Sequence, residues 1–190
     1  MSREEQDKFA FGSQQKYKTA FENNSFQNEI VPVKLVIRKE EKLIKTDEYP
    51  RPETTLEGLN KLKPCFQSDN GTVTPGNASG INDGAALVML TSLSEAKKRN
   101  LNPLARIVSW SQYGMEPLLM GVAPIQAIQE TARKANWNLN DVDIFEINEA
   151  FASQSVAILN ELKLDANKVN VNGGSIAIGH PIGIKLINFT

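Results

Sequence analysis

Four glycines fall within the twelve residues Asn172-Gly-Gly-Ser-Ile-Ala-Ile-Gly-His-Pro-Ile-Gly183, and the chain's only histidine, His180, lies among them. Glycine loses backbone entropy inside a regular element, and Pro181 restricts His180 to an extended conformation. The stretch is therefore predicted to be a turn, with Pro181 suited to open a helix. A chain holding such a turn must build regular elements around it. Upstream, β-rich runs alternate with amphipathic ones. Residues 85–90, 104–111, 143–147 and 169–171 read as strands. Residues 94–99 read as a helix, as does the run from Pro124 through Ile125, Ile128, Ala132 and Ala135. A third helix carries Phe151, Ser155, Ile158 and Leu162 on one face. That order predicts an α/β layer architecture.

The first segment is predicted to be a helix opened by a capping box, Ser2 with Glu5, and running through Phe9, Phe11, Tyr17, Ala20 and Phe21 to the Asn23-Asn24 stop. Two short strands follow at 33–37 and 43–45, with the charged residues 38–42 as a solvated turn between them. From 48 to 76, prolines and glycines leave irregular structure around one short helical piece, 56–62. Long irregular stretches inside compact domains are often functional.

Charge and composition exclude several classes. Lys plus Arg total 21 and Asp plus Glu 22, for a net charge of −1. Nucleic-acid or polybasic membrane binding needs a positive field that this balance does not supply. One cysteine, Cys65, excludes an internal disulfide, and one histidine excludes a histidine-clustered metal site. The apolar run 85–90 is six residues long, far short of the ~20 that span a bilayer. The N-terminal residues are too polar and acidic for a signal or transit peptide, so a reducing, cytoplasmic setting is expected, with a mitochondrial or peroxisomal one the alternative where a signal lies upstream.

Three stretches point to chemistry. Asn77-Ala-Ser-Gly-Ile-Asn-Asp-Gly-Ala-Ala86 places small and polar residues just before a predicted strand, where a ligand can approach backbone; it also reads as a turn entering that strand. Asn148-Glu-Ala-Phe-Ala152 lies where a strand gives way to a helix, the end of α/β sheets at which ligands collect. Asn148 also reads as a plain helix cap. His180, before a helix N-terminus, feels partial positive charge that disfavours the imidazolium. A neutral imidazole can donate a hydrogen bond to a substrate oxygen, which suits an oxyanion hole.

In this order and spacing the three stretches resemble the thiolase family, the acetyl-CoA acetyltransferases and 3-ketoacyl-CoA thiolases. Ser2-Arg-Glu-Glu-Gln-Asp7, Asp47-Glu-Tyr-Pro-Arg51, Lys61-Leu-Lys-Pro64, Gly71-Thr-Val-Thr74, Ala105-Arg-Ile-Val-Ser-Trp110 and Asp141-Val-Asp143 extend the match over residues 1–183. The pieces at 47–51 and 105–110 most resemble the biosynthetic, acetoacetyl-CoA type. The resemblance implies a partial thiolase fold, layered αβαβα. Residues 1–80 would be the loop domain that covers CoA. Residues 81–101 would be the last strand and helix of the N-terminal half, and 102–190 an incomplete C-terminal half. It implies His180 and Asn148 in an oxyanion hole, the histidine donating directly to the thioester oxygen and the asparagine through a water. It places Ser79 on the pantetheine arm, Phe66, Met120, Ala150 and Phe151 along the apolar tunnel, and Arg51 near the nucleotide end of CoA. Gly179 and Gly183 would let backbone approach the acyl group.

The implied chemistry is Claisen condensation or thiolysis, with acetyl-CoA, acetoacetyl-CoA and CoA as substrates and products, no cofactor and no metal. The complete protein would be a homo-oligomer, with no nucleic-acid or membrane partner. The alternatives are a degradative 3-ketoacyl-CoA thiolase and a non-catalytic, CoA-binding polypeptide. Neither family cysteine has a counterpart: Cys65, in Lys63-Pro-Cys-Phe66, falls at no family cysteine position. After Gly183 the family continues Ala-Ser-Gly, whereas this chain reads Ile184-Lys-Leu-Ile-Asn-Phe-Thr190. A chain truncated at both ends is expected to be inactive alone, with unpartnered strands, exposed apolar faces and marginal stability.

Overall fold

The computed structural model describes residues 1–184; residues 185–190, most of the divergent stretch after Gly183, lie outside the described residues. Helix α1 (Arg3–Glu22) opens as expected: Ser2 Oγ accepts from the Glu5 N–H at 3.1 Å, and the Ser2 N–H donates to Glu5 Oε2 at 2.6 Å. Its buried face is only partly the expected aromatic one: Tyr17 and Ala20 are buried and Phe9 and Phe11 pack against the core, but polar residues share the face. Gln6, Asp7, Ala10, Ser13, Gln14, Tyr17 and Ala20 turn inward, while Phe21 is half exposed and stacks on Tyr17. Hydrogen-bond partners meet Asp7, Ser13 and Gln14 on this face, whereas the buried Gln6 Oε1 has none among the described residues.

Strands β1 (Val33–Ile37) and β2 (Glu40–Ile44) form an antiparallel hairpin, Val33 opposite Ile44 and Ile37 opposite Glu40. The turn is shorter than predicted. Arg38 and Lys39 both take positive φ, the two-residue arrangement whose twist matches the flanking strands, so residues 40–42 join β2. Helix α2 (Leu56–Asn60) is capped by Thr55 Oγ, which accepts from the Gly58 N–H.

Two apolar clusters hold the chain. One joins Ala10 of α1, Leu59 of α2, Ala152 of α5 (Ala152–Leu162) and Ile176 of α6 (Ser175–Ile178). The other joins Ile147, Val169 and Ile158 and Leu162 of α5, with Ile125 and Ile128 of α4 (Ala123–Ala135) packed against it. Helix α5 thus spans both, burying Ala152, Ser155, Ile158 and Leu162.

Several predicted strands are absent as such. Residues 85–90 and 104–111 form neither strand nor core: Leu87 is 94% exposed and Leu104 fully so. An extended run becomes a strand only beside another, and no described segment pairs with these. The strands expected at 143–147 and 169–171 reduce to one parallel bridge, Phe145 with Val169. Short helix α3 (Leu93–Lys98) follows the first of these runs. The glycine-dense turn contains a single helical turn, α6, before His180, and Pro181 leads into one 3₁₀ turn (Ile182–Ile184) rather than a longer helix. No helix among the described residues is long and apolar enough to cross a membrane.

Candidate functional site

Glu149 anchors the site. Its carboxylate is almost fully buried and accepts three hydrogen bonds: Ser13 Oγ at 2.7 Å, Asn170 Nδ2 at 2.7 Å and the Ile176 N–H at 3.1 Å. These partners come from α1, the turn after Val169, and α6. Gly174 is required beside it, because a Cβ there would run into the Glu149 carboxyl group. Burial pushes the Glu149 carboxyl above the ordinary carboxylate range, against the pull of its three donors. The solvent-exposed Glu146 carboxyl is pushed up as well, by partial desolvation and then by the Glu149 charge. Lys16, which donates to the Ala166 and Val169 carbonyls, is pushed down by burial.

The 77–82 stretch is fixed from the other side. Buried Asn77 donates to Asp7 Oδ1 at 2.8 Å and accepts from the Thr74 N–H at 2.8 Å, while its carbonyl receives the Ala152 N–H at 2.9 Å. Ser79 gives both its N–H and its hydroxyl to the Ala150 carbonyl. Ile81 then bridges in parallel to His180, whose N–H lies 3.2 Å from both Gly80 O and Asn82 Oδ1. Gly179 takes φ +95°, and a Cβ there would stand 2.6 Å from Asn82 Oδ1. The glycine thus admits Asn82 to the histidine backbone. No described atom lies within 4 Å of a Cβ built on Gly183, so the structure shows no close approach there.

These contacts bring Asn148 and His180 together across 32 residues of sequence, Asn148 Nδ2 lying 3.2 Å from His180 Nε2. His180 is buried, whereas Asn148 opens to solvent. Asn148 is not a helix cap: Phe151 holds the N-cap position of α5, without a side-chain cap, and the Asn148 side-chain oxygen instead accepts from Ser175 Oγ at 2.7 Å. A cleft of about 290 Å³ begins at Asn148, with Met120, Ile128, Glu146, Ala150 and Gln154 on its walls. Phe151 bridges to Ala78 and meets Phe66 edge to face at 6.3 Å between ring centres. Of the predicted site residues, His180, Asn148, Ser79, Ala150, Phe151, Phe66, Met120 and Gly179 are thus linked by contacts or a shared cleft. Arg51 stands apart: it is exposed, and the hydrogen bonds described for it are made by its backbone, with Gln14 and Thr54.

Sequence reasoning missed Ser175, Asn82, Ser13 and Asn170. Ser175 and Asn82 carried a local signal, as polar residues inside two of the three stretches singled out; Ser13 and Asn170 carried none. Cys65 is exposed, and no described group of three or more His, Cys, Asp or Glu could hold a metal ion. The arrangement therefore supplies two nitrogens converging beside an apolar cleft.

Two family models cover the chain: "Thiolase, N-terminal domain" matches residues 1–94 and "Thiolase, C-terminal domain" residues 101–186. The cytosolic acetyl-CoA acetyltransferase of Mus musculus is 56% identical over 184 residues, covering 96% of this chain and 46% of the relative. A probable acetyl-CoA acyltransferase of Staphylococcus aureus strain MRSA252 is 50% identical, with 96% and 47% covered. The crystal structure of human mitochondrial 3-ketoacyl-CoA thiolase superimposes with a TM-score of 0.92 at 48% identity, over 97% of this chain and 46% of that one. The Bacillus anthracis acetyl-CoA acetyltransferase gives 0.93 at 48% identity, over 96% and 46%. The chain spans about half the length of the relatives it matches, and its fold is a partial version of theirs.

Proposed function

The chain belongs to the thiolase family, and on that premise we propose that it carries the thioester-binding half of an acetyl-CoA acetyltransferase. The whole protein joins two acetyl-CoA into acetoacetyl-CoA and CoA, or runs the reverse. In this reading His180 and Asn148 hold the thioester oxygen, and Ser79, Phe66, Met120, Ala150 and Phe151 line the path of the pantetheine arm. Gly179 lets the histidine backbone close in, and Arg51 meets phosphate. Residues 1–80 form the segment over CoA, 81–101 the end of one thiolase half and 102–190 much of the other. The substrate is the CoA thioester itself, with no further cofactor. The whole protein is a homo-oligomer, and a cytoplasmic setting agrees with the name of the mouse relative.

The observation that carries the reading is the 3.2 Å separation of Asn148 Nδ2 and His180 Nε2. Two nitrogens at that spacing can each reach a single oxygen at about 2.9 Å. Donors so placed favour a developing oxyanion over a neutral carbonyl. The Ser79 hydroxyl donates to Ala150 in the unliganded chain, so contact with a pantetheine amide uses its lone pairs or a rotated hydroxyl. Covalent acyl transfer needs an activated nucleophile, and the one cysteine, Cys65, is exposed and falls at no family cysteine position.

Calorimetric titration of the 190-residue chain with CoA and with acetyl-CoA tests this reading. Both ligands are expected to bind, acetyl-CoA about fivefold more tightly, because only it presents a carbonyl to the pair. In Asn148→Ala and His180→Ala the two affinities become equal. Acetoacetyl-CoA thiolysis by the chain alone is expected to be absent. Failure of either ligand to bind, or an unchanged preference in both variants, overturns the reading. Comparing acetoacetyl-CoA with longer 3-ketoacyl-CoA thioesters separates the biosynthetic reading from the degradative one.

A further inference from the structure

Ile147 is buried, and buried backbone groups need partners. The short parallel ladder beside it stops too early to supply them. The Phe145 N–H donates to the Lys168 carbonyl, and the Phe145 carbonyl accepts from the Asn170 N–H, both at 2.8 Å. Asn170 then takes φ +47°, a left-handed conformation that asparagine tolerates, and leads the chain away. Its side chain stands in for the next ladder pair. Oδ1 accepts from the Ile147 N–H at 2.7 Å, and Nδ2 donates to the Ile147 carbonyl at 2.8 Å. Nδ2 also donates to Glu149 Oε1 at 2.7 Å, so both amide hydrogens are used. Asn148 lies between these two fixed residues. The Asn170 carbonyl further accepts from the Gly173 N–H at 2.9 Å, so the same residue starts the turn that carries Ser175 and His180.

We propose that Asn170 is a positioning residue for Asn148: its carboxamide replaces a ladder partner at Ile147, holds Glu149, and so sets the place from which the Asn148 side chain meets the thioester oxygen. The role of that oxygen rests on the reading above; the placement of Asn148 does not. Without the carboxamide the Ile147 peptide loses these two bonds and the Glu149 carboxylate one of its three. Asn148 itself opens to solvent, so packing does little to confine it. The 2.7 Å bond from Ser175 then holds only the tip of a side chain whose backbone has come loose. Donors favour an oxyanion only when their positions are fixed in advance.

Asn170→Gly keeps the left-handed backbone, which glycine adopts freely, and deletes only the carboxamide. The experiment uses the ¹⁵N-labelled 190-residue chain without ligand. The Asn148 side-chain amide, identified by its disappearance in Asn148→Ala, is expected to resonate away from the free-asparagine position, because the His180 ring stands 3.2 Å from Nδ2. In Asn170→Gly these resonances return toward the free position, while those of buried Asn77, held by Asp7, stay. A residue that served stability alone would leave the folded-state resonances of Asn148 in place. In titrations of the same variant the preference for acetyl-CoA over CoA falls from about fivefold to under about twofold, with the CoA affinity itself little changed. Asn170→Asp keeps the acceptor for Ile147 and exchanges the amide donor for a second oxygen. It shifts the Asn148 resonances in the same direction and decides the matter if the glycine variant fails to fold. A wild-type Asn148 amide already at the free position, or resonances that do not move in the folded variant, overturns the proposal. So does a wild-type preference that survives moved resonances. The two readings fail separately. Equal wild-type affinities for CoA and acetyl-CoA beside moved resonances sink the oxyanion reading and leave Asn170 in its role. Unequal affinities beside unmoved resonances do the reverse.

Discussion

Residues 74–82 and 85–90 are near neighbours in sequence and opposite in fate. The first stretch carries four polar side chains among its nine residues, yet two of them, Thr74 and Asn77, are fully buried. The second is wholly apolar, yet Leu87, Met89 and Leu90 stand more than 70% exposed. Hydrophobicity alone would have reversed the two. Burial here follows the supply of partners. Asn77 finds Asp7, Thr72 and Thr74 for its side chain and Ala152 for its backbone, so desolvation is offset bond by bond. The apolar run needs a strand beside it and a helix above it, and no described segment supplies either.

The sharpest way to break the comparison is to remove a partner on the buried side. Glu149→Ala leaves Ser13, Asn170 and the Ile176 N–H without their acceptor. With an unmatched buried donor costing ~1–3 kcal/mol, the variant is expected to lose about 4 kcal/mol, read as a drop in the urea midpoint. A loss under 1 kcal/mol would mean that the network is not what holds this region.

Acidity probes the same carboxylate more gently. In the folded chain Glu149 and Glu146 keep their protons to higher pH than the ordinary 4.5. Between the unfolded and folded values the folded state binds more protons, so stability falls as pH rises. The contribution is complete below about 4.5 and is lost as pH climbs through the raised values, at a slope of at most ~1.4 kcal/mol per pH unit for buried Glu149 and much less for exposed Glu146, whose charge water screens. Urea midpoints measured upward from pH 4.5 should therefore decline, and Glu149→Gln should flatten the Glu149 part. A midpoint that rises over that interval contradicts the assignment.

On the exposed side the expected effect is smallest. Leu87→Ser is predicted to change stability by no more than ~0.5 kcal/mol while reducing self-association in sedimentation velocity. A large loss of stability would show that the run is buried in solution after all.

Much of the helical framework was legible in the sequence. The capping box of α1, the period of α4 and the inward face of α5 are local signals, and the structure follows them. The hairpin of β1 and β2 was legible as well, but the runs 85–90 and 104–111 form no strand, because β-branched and apolar content marks a segment that suits a sheet and says nothing about whether a neighbour exists. The inward face of α1 was misread for a related reason: polar residues look solvent-facing until their partners are known. In the site, the three motifs could be found from glycine density and residue type, but their meeting could not. Asn148 and His180 are 32 residues apart, and Asn82 reaches the His180 backbone across 98. Asn148 was readable as a cap only because Ser175, its actual partner, lies 27 residues downstream.

The polar inner face of α1 also has a consequence in time. Gln14 donates to the Ile176 carbonyl across 162 residues, and Ser13 reaches Glu149 across 136. At ~5–20 residues per second of synthesis, the helix waits roughly ten to thirty seconds for the segment that completes it. An apolar stripe exposed for so long would invite aggregation. A stripe of glutamine, serine and aspartate can wait in water, unharmed, until α6 arrives.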